Sequence, residues 1–171
     1  MLITLSGTPG CGKSTVAQLL AKKLKYHRHY VGGEFRELAK QYDMTYNQFA
    51  QYLKDHPHKE QQIHHQIDQN TKQLANKDNH IVEGRTAFHF LPDSQKIYLT
   101  CDLHTAAQRI FQGHQTSRNE NRYTSLKQAY TATKKRAQQD VQRYKQLYNI
   151  DITNLNNYDI VIDTTQLTPD Q

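Results

Sequence analysis

The stretch LITLSGTPGCGKSTVAQLL, residues 2–20, constrains this chain more than any other. An apolar run ends in a turn with glycines at 7, 10 and 12, and a helical apolar pattern starts at Lys13. The turn fits G-x-x-x-x-G-K-[ST], with Gly7, Gly12, Lys13 and Ser14 at the fixed positions. A buried strand feeding a helix through such a turn belongs to a β-α-β unit, so an open parallel sheet is expected. Successive backbone N–H groups in the turn can cradle phosphate oxygens, and the helix dipole adds positive potential at the same point. Lys13 can bridge the outer phosphates of a nucleoside triphosphate, and the Ser14 hydroxyl can ligate Mg²⁺. Cys11 fills a variable position of the loop; it reads as a small residue that fits, or as a thiol sensitised by the helix N-terminus.

The rest of the chain continues the alternation. LITLS (2–6), HYV (29–31), HIVEG (80–84), KIYLT (96–100) and YDIVID (158–163) read as strands, mostly uninterrupted and so buried on both faces. Helices are expected from Lys13 to about Lys25, over 103–112 and over 125–148. Three more are expected within 33–77, broken near Tyr42–Thr45 and at DHPHK (55–59). The predicted fold is α/β, a doubly wound five-stranded parallel sheet of P-loop NTPase type. It forms a single domain over 1–171, with a core of 1–31, 78–112 and 124–171. A helical insert occupies about 32–77, and a polar loop over about 113–123 reads as a short lid.

The net charge of +6 suits an anionic partner, but the basic residues are scattered, so neither a polybasic tail nor nucleic-acid binding is expected. Two cysteines suggest no disulfide framework, and the paired histidines lack a third ligand at zinc spacing. No stretch approaches the roughly 18 apolar residues of a membrane span, and the N-terminus enters a strand directly. A monomeric cytoplasmic protein without a membrane anchor is expected.

Charged residues recur where the sheet would carry a second anion. Arg36 follows Gly32 and Gly33 just after the second strand. Glu83 and Arg85 end the third strand, on the ligand-binding edge of an α/β sheet, with Glu83 placed to approach Mg²⁺. Arg136, Asp140 and Arg143 lie at i, i+4 and i+7, one helical face that could grip a phosphate and a ribose hydroxyl. Arg118 and Arg122 in the polar loop could bring charge to a transferring group. Val141, Tyr144 and Tyr148 read as a packing stripe. These residues define phosphoryl transfer to a second anion and leave the acceptor open. AMP, UMP and non-nucleotide acceptors fit too, as does the different class of an ATP-switched RNA-binding or assembly factor.

Taken together, the segments ITLSGTPGCGKSTVAQLLAKKL, VGGEFRELAKQYDMT, IVEGR, KIYLTCDL, RYKQLYNIDI and YDIVIDTTQLTP resemble the cytidylate kinases, in the short form common in archaea and some bacteria. The resemblance spans nearly the whole chain and implies a nucleoside monophosphate kinase fold with a helical monophosphate-binding insert. It implies the reaction of ATP with CMP or dCMP to give ADP and CDP or dCDP, with Mg²⁺. By motif match, Gly7, Thr8, Pro9, Gly10, Cys11, Gly12, Lys13, Ser14 and Thr15 would bind the ATP phosphates. Arg109 would serve the ATP side. Gly33, Arg36 and Arg85 would meet the acceptor phosphate with Arg136 and Arg143, Asp140 its ribose and Asp68 its base. Lys13, Arg136, Arg118 and Arg122 would stabilise the transferring group, and Ser14 with Glu83 would hold the metal. The chain departs from the family at Val31, where serine is usual, and at Gly113, where a second arginine often stands. It also ends at TPDQ, where the family usually continues into a helix, so one end of the sheet is expected to be less covered.

Overall fold

The computed structural model describes residues 1–113 and 123–169. Five strands, β1 (Leu2–Gly7), β2 (His27–Tyr30), β3 (His80–Glu83), β4 (Gln95–Thr100) and β5 (Ile160–Asp163), form one sheet in the order β2-β3-β1-β4-β5. All four pairings are parallel, with Leu5 opposite Glu83 on one side and Ile97 on the other. The chain runs outward from β1 to β2, returns through β3 and then crosses to β4. The point where strand order reverses therefore lies at the carboxyl end of β1, between β3 and β4, where open α/β sheets bind ligands.

The helices are α1 (Lys13–Leu24), α2 (Val31–Gln41), α3 (Tyr46–Asp55), α4 (Pro57–Lys72), α5 (Ala87–Phe90), α6 (Leu103–Gly113) and α7 (Leu126–Tyr148). Ile3 and Leu5 face one side of β1 and pack with Ile81 and Leu99 against Ala17 and Ala21, small residues that let α1 lie close to the sheet. Leu2 faces the other side and packs with Val82, Ala87 and Leu91. The helical segment α2–α4 has a core of its own, with Phe35, Ala39, Phe49, Leu53, Ile63 and Ile67 buried together. The ring of Phe35 lies 5.1 Å from both Tyr46 and Phe49. Asp43, at φ +53, ends the α2 turn. Thr45 and Gln48 then form a reciprocal capping box that starts α3. Pro57 occupies the first turn of α4, where its missing N–H costs nothing. No helix among the described residues is long and apolar enough to cross a membrane.

Three local readings change. Val31 opens α2 instead of ending β2, and β2 starts earlier, at His27. Among the described residues it is an edge strand that pairs only with β3, so its His27-Arg28-His29 run need not be apolar. The strand β5 is not buried on both faces: Ile160, Val161 and Ile162 are 42%, 42% and 37% exposed at the opposite edge. The short α5 carries too few residues to show a helical period, and no helix is expected there from the sequence. Residues 114–122 of the polar loop, Arg118 and Arg122 among them, lie outside the described residues.

Candidate active site

The phosphate loop is shaped by close backbone approach. At Gly7, φ is +144°, and a Cβ there would stand 2.0 Å from the Leu99 carbonyl oxygen. Only glycine lets β1 keep its pairing with β4 while the chain turns away. Gly12, at φ +89°, caps α1 without a side-chain hydrogen bond, and beyond its own chain neighbours nothing lies within 4 Å of its Cβ position. The first turn of α1 lines a cleft, and the unpaired amides of a helix N-terminus in such a place can receive an anion. Lys13 Nζ donates to the Gly7 and Thr8 carbonyls at 2.8 and 2.6 Å. Burial pulls the Lys13 pKa below its ordinary value. Cys11 is buried among Ile3, Leu5 and Leu99.

Ser14 Oγ donates to Glu83 Oε1 at 2.6 Å, joining the first turn of α1 to the end of β3. Serine and carboxylate oxygens are hard donors of the kind Mg²⁺ takes, so the pair could hold the metal of a nucleotide complex. The second carboxylate oxygen of Glu83 accepts from Arg28 Nε at 3.1 Å and from Arg28 Nη2. Arg28 is a partner that sequence reasoning misses, because a lone arginine on a polar edge strand carries no signal. Glu83 is 3% exposed, so losing Arg28 leaves a buried charge unpaired. Arg28→Ala is expected to cost about 2–3 kcal/mol in chemical denaturation, somewhat less than a wholly buried pair because Arg28 is partly exposed. An unchanged midpoint would contradict this reading.

Four arginines stand on the α2–α4 side. Arg36 donates to the Gly32 carbonyl at 2.9 Å and to the Tyr30 hydroxyl, with its guanidinium 5.3 Å from the Tyr46 ring centre. Arg136 lies over the same tyrosine at 5.1 Å, so Tyr46 brings arginines from α2 and α7 together. Arg85 pairs with Asp140 at 2.8 Å, both largely buried. Burial, the largest influence, lowers the Arg85 pKa, but the Asp140 carboxylate together with Tyr144 and Tyr46 outweighs it and the net shift is upward. Arg143 Nε sits 3.3 Å from Glu60 of α4. Tyr30, Tyr46 and Glu60 have no motif that marks them in advance.

One cleft of about 1170 Å³ contains both assemblies. Its wall includes Pro9 to Thr15, Glu83, Arg36, Arg85, Arg136, Arg143, Asp68 and Arg109. That exceeds the roughly 300–1,000 Å³ of a single-ligand pocket, and is large enough for two ligands. Arg109 donates to the Thr164 and Leu167 carbonyls at 2.7 and 3.0 Å and ties α6 to the segment after β5. Asp68 receives the Tyr148 hydroxyl at 2.7 Å, and burial raises its pKa against that bond. Thr8 and Asp140 lie instead in an adjoining cavity of about 350 Å³ behind the loop. Gly33 is packed within α2, where a Cβ would stand 2.9 Å from the Tyr30 ring, while its neighbour Gly32 lines the cleft.

A phosphate loop and a separate cationic chamber, opening on one cleft at a strand-order reversal, define a P-loop kinase acting on small molecules. A sequence model described as an AAA domain matches residues 3–130. The cytidylate kinase of Methanocella arvoryzae is 38% identical over 97% of this chain and 89% of its own length. The cytidylate kinase of Methanocaldococcus jannaschii is 33% identical, covering 97% of this chain and 89% of its own. The chain belongs to the cytidylate kinase family. Among solved structures, an uncharacterised protein from Eubacterium ventriosum superposes with a TM-score of 0.70 at 18% identity, covering 99% of this chain and 91% of its own. Shikimate kinase from Aquifex aeolicus superposes with a TM-score of 0.55 at 16% identity, covering 99% of this chain and 90% of its own. Both share the fold.

Proposed function

We propose that this chain transfers the γ-phosphoryl group of ATP to CMP or dCMP, giving ADP and CDP or dCDP. The observation that carries the reading is the single cleft in which the helix α1 N-terminus faces an arginine-lined chamber built from α2, β3 and α7. Its relatives named cytidylate kinases, aligned over nearly the whole chain, support the choice of acceptor.

In this reading the residues from Gly7 to Thr15 hold the donor phosphates, with Lys13 leaving its loop carbonyls for the β,γ-oxygens. Arg109 shapes the donor end. Ser14 and Glu83 hold Mg²⁺, which when bound neutralises charge on the donor phosphates. Arg36, Arg85, Arg136 and Arg143 receive the acceptor phosphate, with Gly32 and Gly33 leaving room beside Tyr30. Asp140 fixes the Arg85 guanidinium, and a ribose contact would share that carboxylate. Asp68 meets the base. The attacking oxygen already bears negative charge at neutral pH, so no general base is required. The catalytic effect comes from aligning two anions and offsetting their repulsion. The enzyme is read as a Mg²⁺-dependent monomer of the cytoplasm with a single kinase domain, residues about 32–77 forming its acceptor-binding insert.

ADP release should be followed with CMP, dCMP, UMP, AMP and shikimate as acceptors. CMP or dCMP should give the highest kcat/KM. A higher value with any of the other three would overturn the assignment of the acceptor.

A further inference from the structure

We infer that His64 reads the base of the acceptor nucleotide, acting with Asp68 one turn further along α4. The inference rests on the CMP-kinase reading and deepens it.

His64, Ile67 and Asp68 are spaced i, i+3 and i+4, so one face of α4 lines the cleft. His64 is 8% exposed, and its ring centre lies 6.4 Å from that of Phe35. Its Nε2 atom is buried and, among the described residues, has no hydrogen-bond partner. The Glu60 carboxylate oxygen is 3.9 Å away, too far for a hydrogen bond, and the same oxygen is held by Arg143. A buried ring nitrogen without a partner, in the wall of a ligand cleft, is a group waiting for a ligand atom.

Burial and the Arg143 charge push the His64 pKa down to about 4. At neutral pH the ring is therefore neutral, with one N–H donor and one acceptor nitrogen. The Glu60 carboxylate beside Nε2 favours the tautomer with its proton there. Asp68, with one oxygen taken by Tyr148, still offers acceptor capacity on its carboxylate. A donor and an acceptor one helical turn apart complement cytosine, whose N3 accepts and whose 4-amino group donates. Uracil reverses both groups, so its N3–H would meet a donor and its O4 a carboxylate. The geometry thus supplies both attraction for cytosine and opposition to uracil.

The test uses the full chain with CMP, UMP and 3-deaza-CMP, in which the N3 acceptor is replaced by C–H. Wild-type enzyme is expected to lose about tenfold in kcat/KM on 3-deaza-CMP relative to CMP, the scale of one lost hydrogen bond. His64→Phe, which keeps an aromatic ring beside Phe35, should raise KM for CMP about tenfold and leave KM for ATP within about twofold. The same variant should no longer distinguish CMP from 3-deaza-CMP and should lose most of the CMP preference over UMP. His64→Gln, which places an amide N–H near the Nε2 position, should keep most of that preference. Equal use of CMP and 3-deaza-CMP by the wild-type enzyme would overturn the inference even if the variants fold poorly. An unchanged CMP-to-UMP ratio in His64→Phe would overturn it too, while leaving the CMP-kinase reading intact. A wild-type enzyme that does not phosphorylate CMP would overturn both.

Discussion

Lys13→Ala is expected to lower kcat by about three orders of magnitude while the fold is retained, as for the loss of a group that offsets transition-state charge. In the structure the ammonium donates to the Gly7 and Thr8 carbonyls, so the charge is stored on the loop that it would leave. Burial lowers its pKa, which means the folded chain binds that proton less tightly than the unfolded chain. Below the lowered pKa the charged Lys13 therefore costs stability, and the cost is relieved as pH rises through it. Removing the side chain removes this penalty together with its hydrogen bonds to the Gly7 and Thr8 carbonyls and to Cys11 Sγ, and these changes oppose each other. Thermal unfolding at neutral pH should accordingly move by only a few degrees, on the order of 1 kcal/mol or less. Turnover near that of the wild-type chain would refute the role given to Lys13.

Arg85→Ala is expected to raise KM for CMP by about two orders of magnitude and KM for ATP by only a few-fold, the loss expected for a charge-assisted contact to phosphate. The same substitution strands the Asp140 carboxylate, which is 4% exposed and paired with Arg85 at 2.8 Å. Breaking such a buried pair costs about 3–5 kcal/mol, so stability and binding would fall together. Arg85→Ala combined with Asp140→Asn separates them. The double variant should recover most of the stability, because the stranded charge is gone, and none of the CMP affinity. Equal rises in KM for ATP and CMP in the double variant would argue against an acceptor role.

The phosphate loop is legible in the sequence because its chemistry is carried by backbone conformation, and glycines at fixed spacing write that conformation directly. The interior strands are legible because β1, β3 and β4 pair on both sides and must be apolar. The edges are harder to read. The strand β2 tolerates His27 and Arg28, and β5 leaves three apolar side chains exposed, because each pairs on one side only.

The arginine-lined chamber shows a different limit. Helical periodicity places Arg136, Asp140 and Arg143 on one face of α7, but it cannot name their partners. The structure sends Arg136 to Tyr46, Asp140 to Arg85 and Arg143 to Glu60, so the three part ways across α3, the end of β3 and α4. Those partners come from distant parts of the chain, and only tertiary packing brings them there. His64 is the extreme case. In the stretch HKEQQIHHQIDQ nothing separates it from His58 or His65, and only the approach of Phe35 and Arg143 makes it buried and neutral.

The most direct test of phosphoryl transfer between two nucleotides is to incubate the chain with ATP labelled at the γ-phosphate, Mg²⁺ and CMP, and to separate the products by chromatography. The label should appear in CDP, in step with ADP formation and only when CMP is present. Label released as inorganic phosphate at a rate indifferent to CMP would contradict the account.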